Sequence, residues 1–131
     1  MGYKNFNLNP AGRHTEDCAV RALAVALNKS WKETYTGLCE QGFRLCDMPC
    51  ANQVWKTYLI GKGWERHRIP KIPGMQCTVK GFADSNQSGT FLLEMSTHIV
   101  CVKNGDWIDT WDCSDEVPKA YWEGSNERAV L

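Results

Sequence analysis

Apolar residues change their spacing along this chain, and the change divides it into two kinds of element. Ala19 to Leu27 is almost continuously apolar in helix-forming residues, and Val54, Trp55, Tyr58 and Leu59 recur at helical intervals. Past Thr90 the period shortens. Thr90 to Glu94, His98 to Lys103 and Asp106 to Trp111 are rich in β-branched and aromatic residues, a composition that predicts strands.

Polar punctuation sets the expected boundaries. Ser30-Trp31-Lys32-Glu33 reads as a capping box that opens a second helix, with Gly42 as its end. Asp47 and Pro49 predict the start of a third helix, which Gly61 and Gly63 close. Trp64 to Pro73 is expected as a short extended connection, and Thr78 as the cap of a brief helix through Phe82 and Ala83. Asn104-Gly105 between two strand-like runs is the strongest hairpin signal. The predicted fold class is α+β, with an N-terminal helical half packed on a small antiparallel β-sheet.

A two-residue turn at Asn104-Gly105 fixes a register in which Lys103 faces Asp106, Val100 faces Asp109 and His98 faces Trp111. Paired residues share a face, as do residues two apart on one strand. His98, Val100, Asp109 and Trp111 therefore project together, with Asp109 the diagonal neighbour of His98, while Asp112 points away.

The 131 residues fit a single domain over 1–131. Fifteen basic residues balance fifteen acidic ones, so no net charge draws the chain to nucleic acid or to a membrane surface, and its partner is expected to be recognised by shape and local chemistry. Seven cysteines make an odd set without a close-pair framework, which points to a reducing, cytoplasmic setting. No apolar signal core or membrane span is expected, since the apolar runs are short and interrupted.

The stretch GRHTEDCAVRALAVALNK places Cys18 at the first turn of the first helix. There the unpaired backbone N–H groups and the helix dipole favour a thiolate. A cysteine in an apolar run fits packing equally well when taken alone. His98 and Asp109 change the balance, because the hairpin supplies an imidazole steadied by a carboxylate, and an imidazole can deprotonate a thiol.

In these residues the chain resembles the papain-like cysteine peptidases, whose order is a cysteine at a helix N-terminus, a histidine at a strand start, and an Asn or Asp on the next strand. Asp17-Cys18 opens the helix, Thr97-His98-Ile99-Val100 starts the strand, and Asp109-Thr110-Trp111 is similar to the family's Asn-Ser-Trp segment, whose tryptophan shields the orienting residue. The resemblance extends to small bacterial and phage-associated papain-like peptidases, including the leader-cleaving domains of bacteriocin exporters. It implies a Cys18–His98–Asp109 triad that cleaves a peptide or isopeptide bond without metal or cofactor. It also implies that the Cys18 backbone N–H donates to the oxyanion and that Trp111 is largely buried. The family's oxyanion Gln has no counterpart, because Gly12 stands six residues before Cys18; Asn9 and Thr15 are the candidates for a second donor. Two other readings of the scaffold are an inactive protein-binding module and an amidase or acyltransferase with the same triad.

Zinc is the competing chemistry, since His14 with Cys18 and Cys46 with Cys50 each lie four apart. Pro49 interrupts the second pair, no C-x-x-C occurs, and a zinc-bound Cys18 would not be a free nucleophile. Cys39, Cys77, Cys101 and Cys113 read as core or surface thiols. His67 between Arg66 and Arg68 reads as a solvated basic patch.

Overall fold

A computed structural model describes residues 2–124 and 129. Ten elements follow in chain order: β1 (Gly2–Asn5), α1 (Cys18–Leu27), α2 (Trp31–Leu45), α3 (Asn52–Gly61), β2 (Glu65–Arg68), α4 (Val79–Ser85), β3 (Thr90–Glu94), β4 (Ile99–Lys103), β5 (Asp106–Asp109) and β6 (Ala120–Glu123). The architecture is α+β.

The sheet is larger than the expected antiparallel unit, with six strands in the order β1-β5-β4-β3-β6-β2. It is mixed, because β1 runs parallel to β5. Beyond the hairpin, β1 and β6 went unforeseen and β2 was expected only as extended chain. Each of the three is four residues long, and each is held by partners distant in sequence rather than by a local turn.

Local signals succeed where they satisfy backbone groups directly. Ser30 and Glu33 form the reciprocal capping box, with Ser30 Oγ accepting from the Glu33 N–H and Glu33 Oε1 accepting from the Ser30 N–H, both at 3.1 Å. Thr78 caps α4 by accepting from the Gly81 N–H at 3.0 Å. Asn104 and Gly105 both take positive φ, 52° and 82°, as a primed turn requires. The turn fixes the pairs Lys103–Asp106, Val102–Trp107 and Cys101–Ile108, in the anticipated register.

Two boundaries differ. The helix α2 runs through Gly42 to Leu45 and ends on Cys46 in the left-handed conformation. Gly42 is buried where the chain folds back, and a Cβ there would lie 2.6 Å from the Asp47 carbonyl oxygen. Close approach, not helix termination, accounts for the glycine. The third helix begins at Asn52, after the Asp47–Pro49 segment expected to open it.

Strands β3 and β4 are buried on both sides, which explains their near-continuous apolar sequence. On one face Leu92, Ile99, Cys101 and Trp122 pack against α1, α2 and α3 through Leu23, Leu38, Trp55 and Leu59. On the other, Phe91, Leu93, Val100, Val102 and Trp107 pack with Val79, Phe82 and Ala83 of α4. Among the described residues no helix is long and apolar enough to cross a membrane.

The Gly42 contact is directly testable. Replacing Gly42 with Ala should destabilise the protein by about 1–3 kcal/mol, the cost of overpacking a tight site. Denaturant melts of the two proteins would measure it, and an unchanged midpoint would contradict the packing described here.

Candidate functional site

The N-terminus of α1 is organised by a buried carboxylate that does not cap it. Asp17 occupies the N-cap position but makes no side-chain cap hydrogen bond. Its carboxylate accepts instead from Arg21 Nε at 2.8 Å, Trp31 Nε1 at 2.9 Å and Asn9 Nδ2 at 3.4 Å. Burial pushes the Asp17 pKa up, but the bonds from Arg21 and Trp31 outweigh it and hold the group below its ordinary value. The first-turn N–H groups are thus left without a side-chain cap at the residue that carries the thiol.

Arg21 lies one turn into α1 and is itself buried. Its Nη1 donates to Asp109 Oδ1 at 2.9 Å, so one guanidinium ties the helix that carries Cys18 to the strand that carries Asp109. The Asp109 backbone is fixed too, its carbonyl accepting from the Phe6 N–H at 3.0 Å just past β1. Parallel pairing of β1 with β5, which includes Asn5 opposite Asp109, therefore anchors the carboxylate's main chain.

His98 precedes β4, and its carbonyl accepts from the Met95 N–H at 2.8 Å to close the β3–β4 connection. Its Nε2 lies 2.5 Å from Asp109 Oδ2, the diagonal contact that the hairpin register implied. Cys18 lines the same cleft as this ring and is near enough for the ring to lower the thiol's pKa. With Nε2 held by Asp109, Nδ1 is the nitrogen left for the thiol.

The electrostatics follow from these contacts. Burial raises the Cys18 pKa, yet the hydrogen bond and charge of His98, a backbone bond at Ile99 and the charge of Arg21 bring it below its ordinary 9.0. For His98, burial acts downward, but the bonds with Asp109, Cys113 and Cys18 raise it to about 11. The geometry thus favours a thiolate beside an imidazolium. Burial pushes Cys77, Cys101 and Cys113 the other way, Cys101 to about 12.

A cleft of about 600 Å³ opens over the thiol, with Thr15, Cys18, Asn52, His98 and Trp111 in its walls. Trp111 lies beside His98 with 4.9 Å between ring centroids and the rings tilted by 42°, but it remains 44% exposed, so it forms a wall and is not the largely buried shield expected of it. Asn9 is buried, donates to Asp17 and is not among the cleft-lining residues, whereas Thr15 is. Of the two candidate oxyanion donors, only Thr15 therefore sits at the cleft.

Three residues at or beside the site escaped the sequence reading. Arg21 had a signal, as the one charged residue in CAVRALAVAL and four residues after Asp17. Cys113 had none: its Sγ lies 3.7 Å from Asp109 Oδ2. Glu94, in the cleft wall, is almost fully buried and receives Arg66 at 3.0 Å, Trp122 Nε1 at 3.1 Å, Lys56 at 3.3 Å and Lys119 at 3.6 Å. Burial raises its pKa, but Arg66, Trp122 and Lys56 lower it to about 2.

Among the described residues two groups bring three potential metal donors within 4.8 Å, His98–Asp109–Cys113 and Glu65–His67–Glu123. Neither contains the His14–Cys18 or Cys46–Cys50 spacing. A metal on the first group would compete with the His98–Asp109 contact. In the second, His67 departs from the solvated patch expected of it: its ring stacks on Tyr121 at 5.0 Å and its Nε2 lies 3.0 Å from Glu123.

Two outcomes follow. Arg21→Met leaves Asp17 and Asp109 buried without their shared cation and should cost about 3–5 kcal/mol in chemical denaturation, while Arg21→Lys recovers only part because a single ammonium lacks the two-sided fork. Glu94, ordinarily near 4.5 and here about 2, stabilises the fold above pH 4.5, and that contribution disappears as pH falls toward 2. The gap corresponds to on the order of 3 kcal/mol, so the stability difference between wild type and Glu94→Gln should shrink across that interval in pH-dependent melts.

In comparisons with known proteins, the chain matches no family model, no curated protein and no solved structure.

Proposed function

We propose that this protein is a papain-like thiol hydrolase that cleaves a peptide or isopeptide bond with Cys18 as nucleophile, His98 as general acid and base, and Asp109 as the orienting carboxylate. The observation that carries the proposal is the convergence of three separate elements on one ring. The N-terminus of α1 brings the thiol, the start of β4 the imidazole, and the end of β5 a carboxylate 2.5 Å from Nε2.

In the acylation step the Cys18 thiolate adds to the substrate carbonyl, forming a C–S bond and placing the electron pair on oxygen. The Cys18 backbone N–H, at the uncapped helix start, donates to that oxyanion, with Thr15 as the candidate second donor. Collapse breaks the C–N bond, and the imidazolium of His98 gives its proton to the departing amine. Water then attacks the thioester, His98 takes its proton, and the acid leaves as the thiol is regenerated. Asp109 holds the ring and balances its positive charge at each imidazolium stage.

An inactive binding module on the same scaffold is the second reading. It is favoured by Asn9, whose amide donates to Asp17 and leaves the cleft with fewer oxyanion donors. An amidase or acyltransferase would use the same three residues on another acyl group.

Iodoacetamide distinguishes the readings first. Cys18 should alkylate faster than the other thiols at neutral pH and keep reacting below pH 9, losing reactivity only as acid protonates it through its lowered pKa. His98→Ala should move that acid limb upward. Cys18→Ala should abolish turnover of peptide substrates while keeping the native circular dichroism spectrum; equal labelling of all accessible thiols, with no shift in His98→Ala, would remove the hydrolase.

A further inference from the structure

A second concavity adjoins the thiol cleft, of about 820 Å³, and the two share Ser96 and Lys119 in their walls. One side is a tight turn. The Met75 N–H donates to the Ile72 carbonyl at 3.0 Å, Pro73 follows Ile72, and Gly74 has a φ of 78°, the pattern of a type II turn. The segment leading into it is tied down, since the Ile69 N–H donates to the Lys119 carbonyl at 2.9 Å.

This hydrogen-bonded turn holds apolar side chains in water. Ile72, Met75 and Val117 all line the concavity and are between 43% and 69% exposed. Apolar groups clustered at one exposed place, and not scattered singly, are characteristic of a surface that is covered in use. The charged residues lining it among those described are Lys71 and Lys119, with no acidic side chain. Glu116, next to Val117 in the chain, is not part of the lining. Lys119 reaches toward Glu94 at 3.6 Å, but that carboxylate also receives Arg66 and Lys56, so the local balance stays positive.

We propose that this groove docks the polypeptide substrate, taking an extended segment in which an acidic side chain stands beside an apolar one. The assignment deepens the hydrolase reading and rests on it. Continuity through Ser96 and Lys119 lets one strand of peptide lie in both concavities. The lysines supply charge complementarity to Asp or Glu, and Ile72, Met75 and Val117 supply contact for the neighbouring apolar side chain.

The experiment separates docking from chemistry. Cys18→Ala protein, which binds without turnover, is titrated into a short fluorescein-labelled peptide alternating Glu with Val, and into a counterpart alternating Lys with Val. Anisotropy should show the acidic peptide bound about tenfold more tightly, with the preference falling as salt is raised. Lys71→Glu and Met75→Glu, both at solvent-facing positions, should each weaken the acidic peptide about fivefold with the circular dichroism spectrum unchanged. Equal affinity for the two peptides, or an acidic preference that survives both substitutions, overturns the proposal. Alkylation of Cys18 in the wild-type protein is scored separately. Fast alkylation with no peptide preference rejects the groove and leaves the hydrolase standing, whereas the preference with an unreactive Cys18 supports docking and rejects the hydrolase.

Discussion

Everything at the cleft depends on a single buried guanidinium held between two carboxylates. Arg21 bonds Asp17 on one side and Asp109 on the other, at 2.8 and 2.9 Å, and all three residues are largely removed from water. A buried carboxylate is tolerated only when it is paired and hydrogen-bonded. Asp17 has that partnership from Arg21, Trp31 and Asn9, and Asp109 has it from Arg21, His98 and the Thr110 N–H at 2.8 Å. Because the cation belongs to α1 and one of its anions to β5, electrostatic satisfaction and the placement of Cys18 against His98 are the same event. The helix cannot slide relative to the hairpin without stranding a charge.

The two sides of the site were legible in the sequence to different degrees. The hairpin half could be read almost completely, because Asn104-Gly105 fixes a register by local chemistry alone and parity then assigns His98 and Asp109 to one face. The capping box of α2 and the Thr78 cap of the brief α4 were legible for the same reason: a hydroxyl that accepts from an N–H three residues on is a local arrangement. Cys18 at a helix start was also visible, though only its environment separates it from a packing thiol.

What escaped was non-local. Strands β1 and β6 are four residues each and owe their form to neighbours far along the chain, so neither leaves a periodic trace. Gly42 looked like a stop signal because a glycine needed for close approach and one needed to end a helix are the same letter. Glu94 closes an apolar strand, where a carboxylate usually marks the surface; four donors from α3, β2, β6 and the segment before β6 make it a buried residue instead. Trp111 failed differently, since its position beside His98 was foreseen while its exposure was set by the opening of the cleft.

The uncapped start of α1 bears on when the thiol becomes reactive. In an unfolded chain, Cys18 is one of seven ordinary sulfhydryls, with its ring partner far away in sequence and no aligned dipole behind it. Packing of the hairpin against the helix singles it out, and burial in the same fold raises Cys101 and Cys113. In the proposed hydrolase the lowered pKa of Cys18 is therefore a property of the assembled fold and not of the local sequence around the thiol.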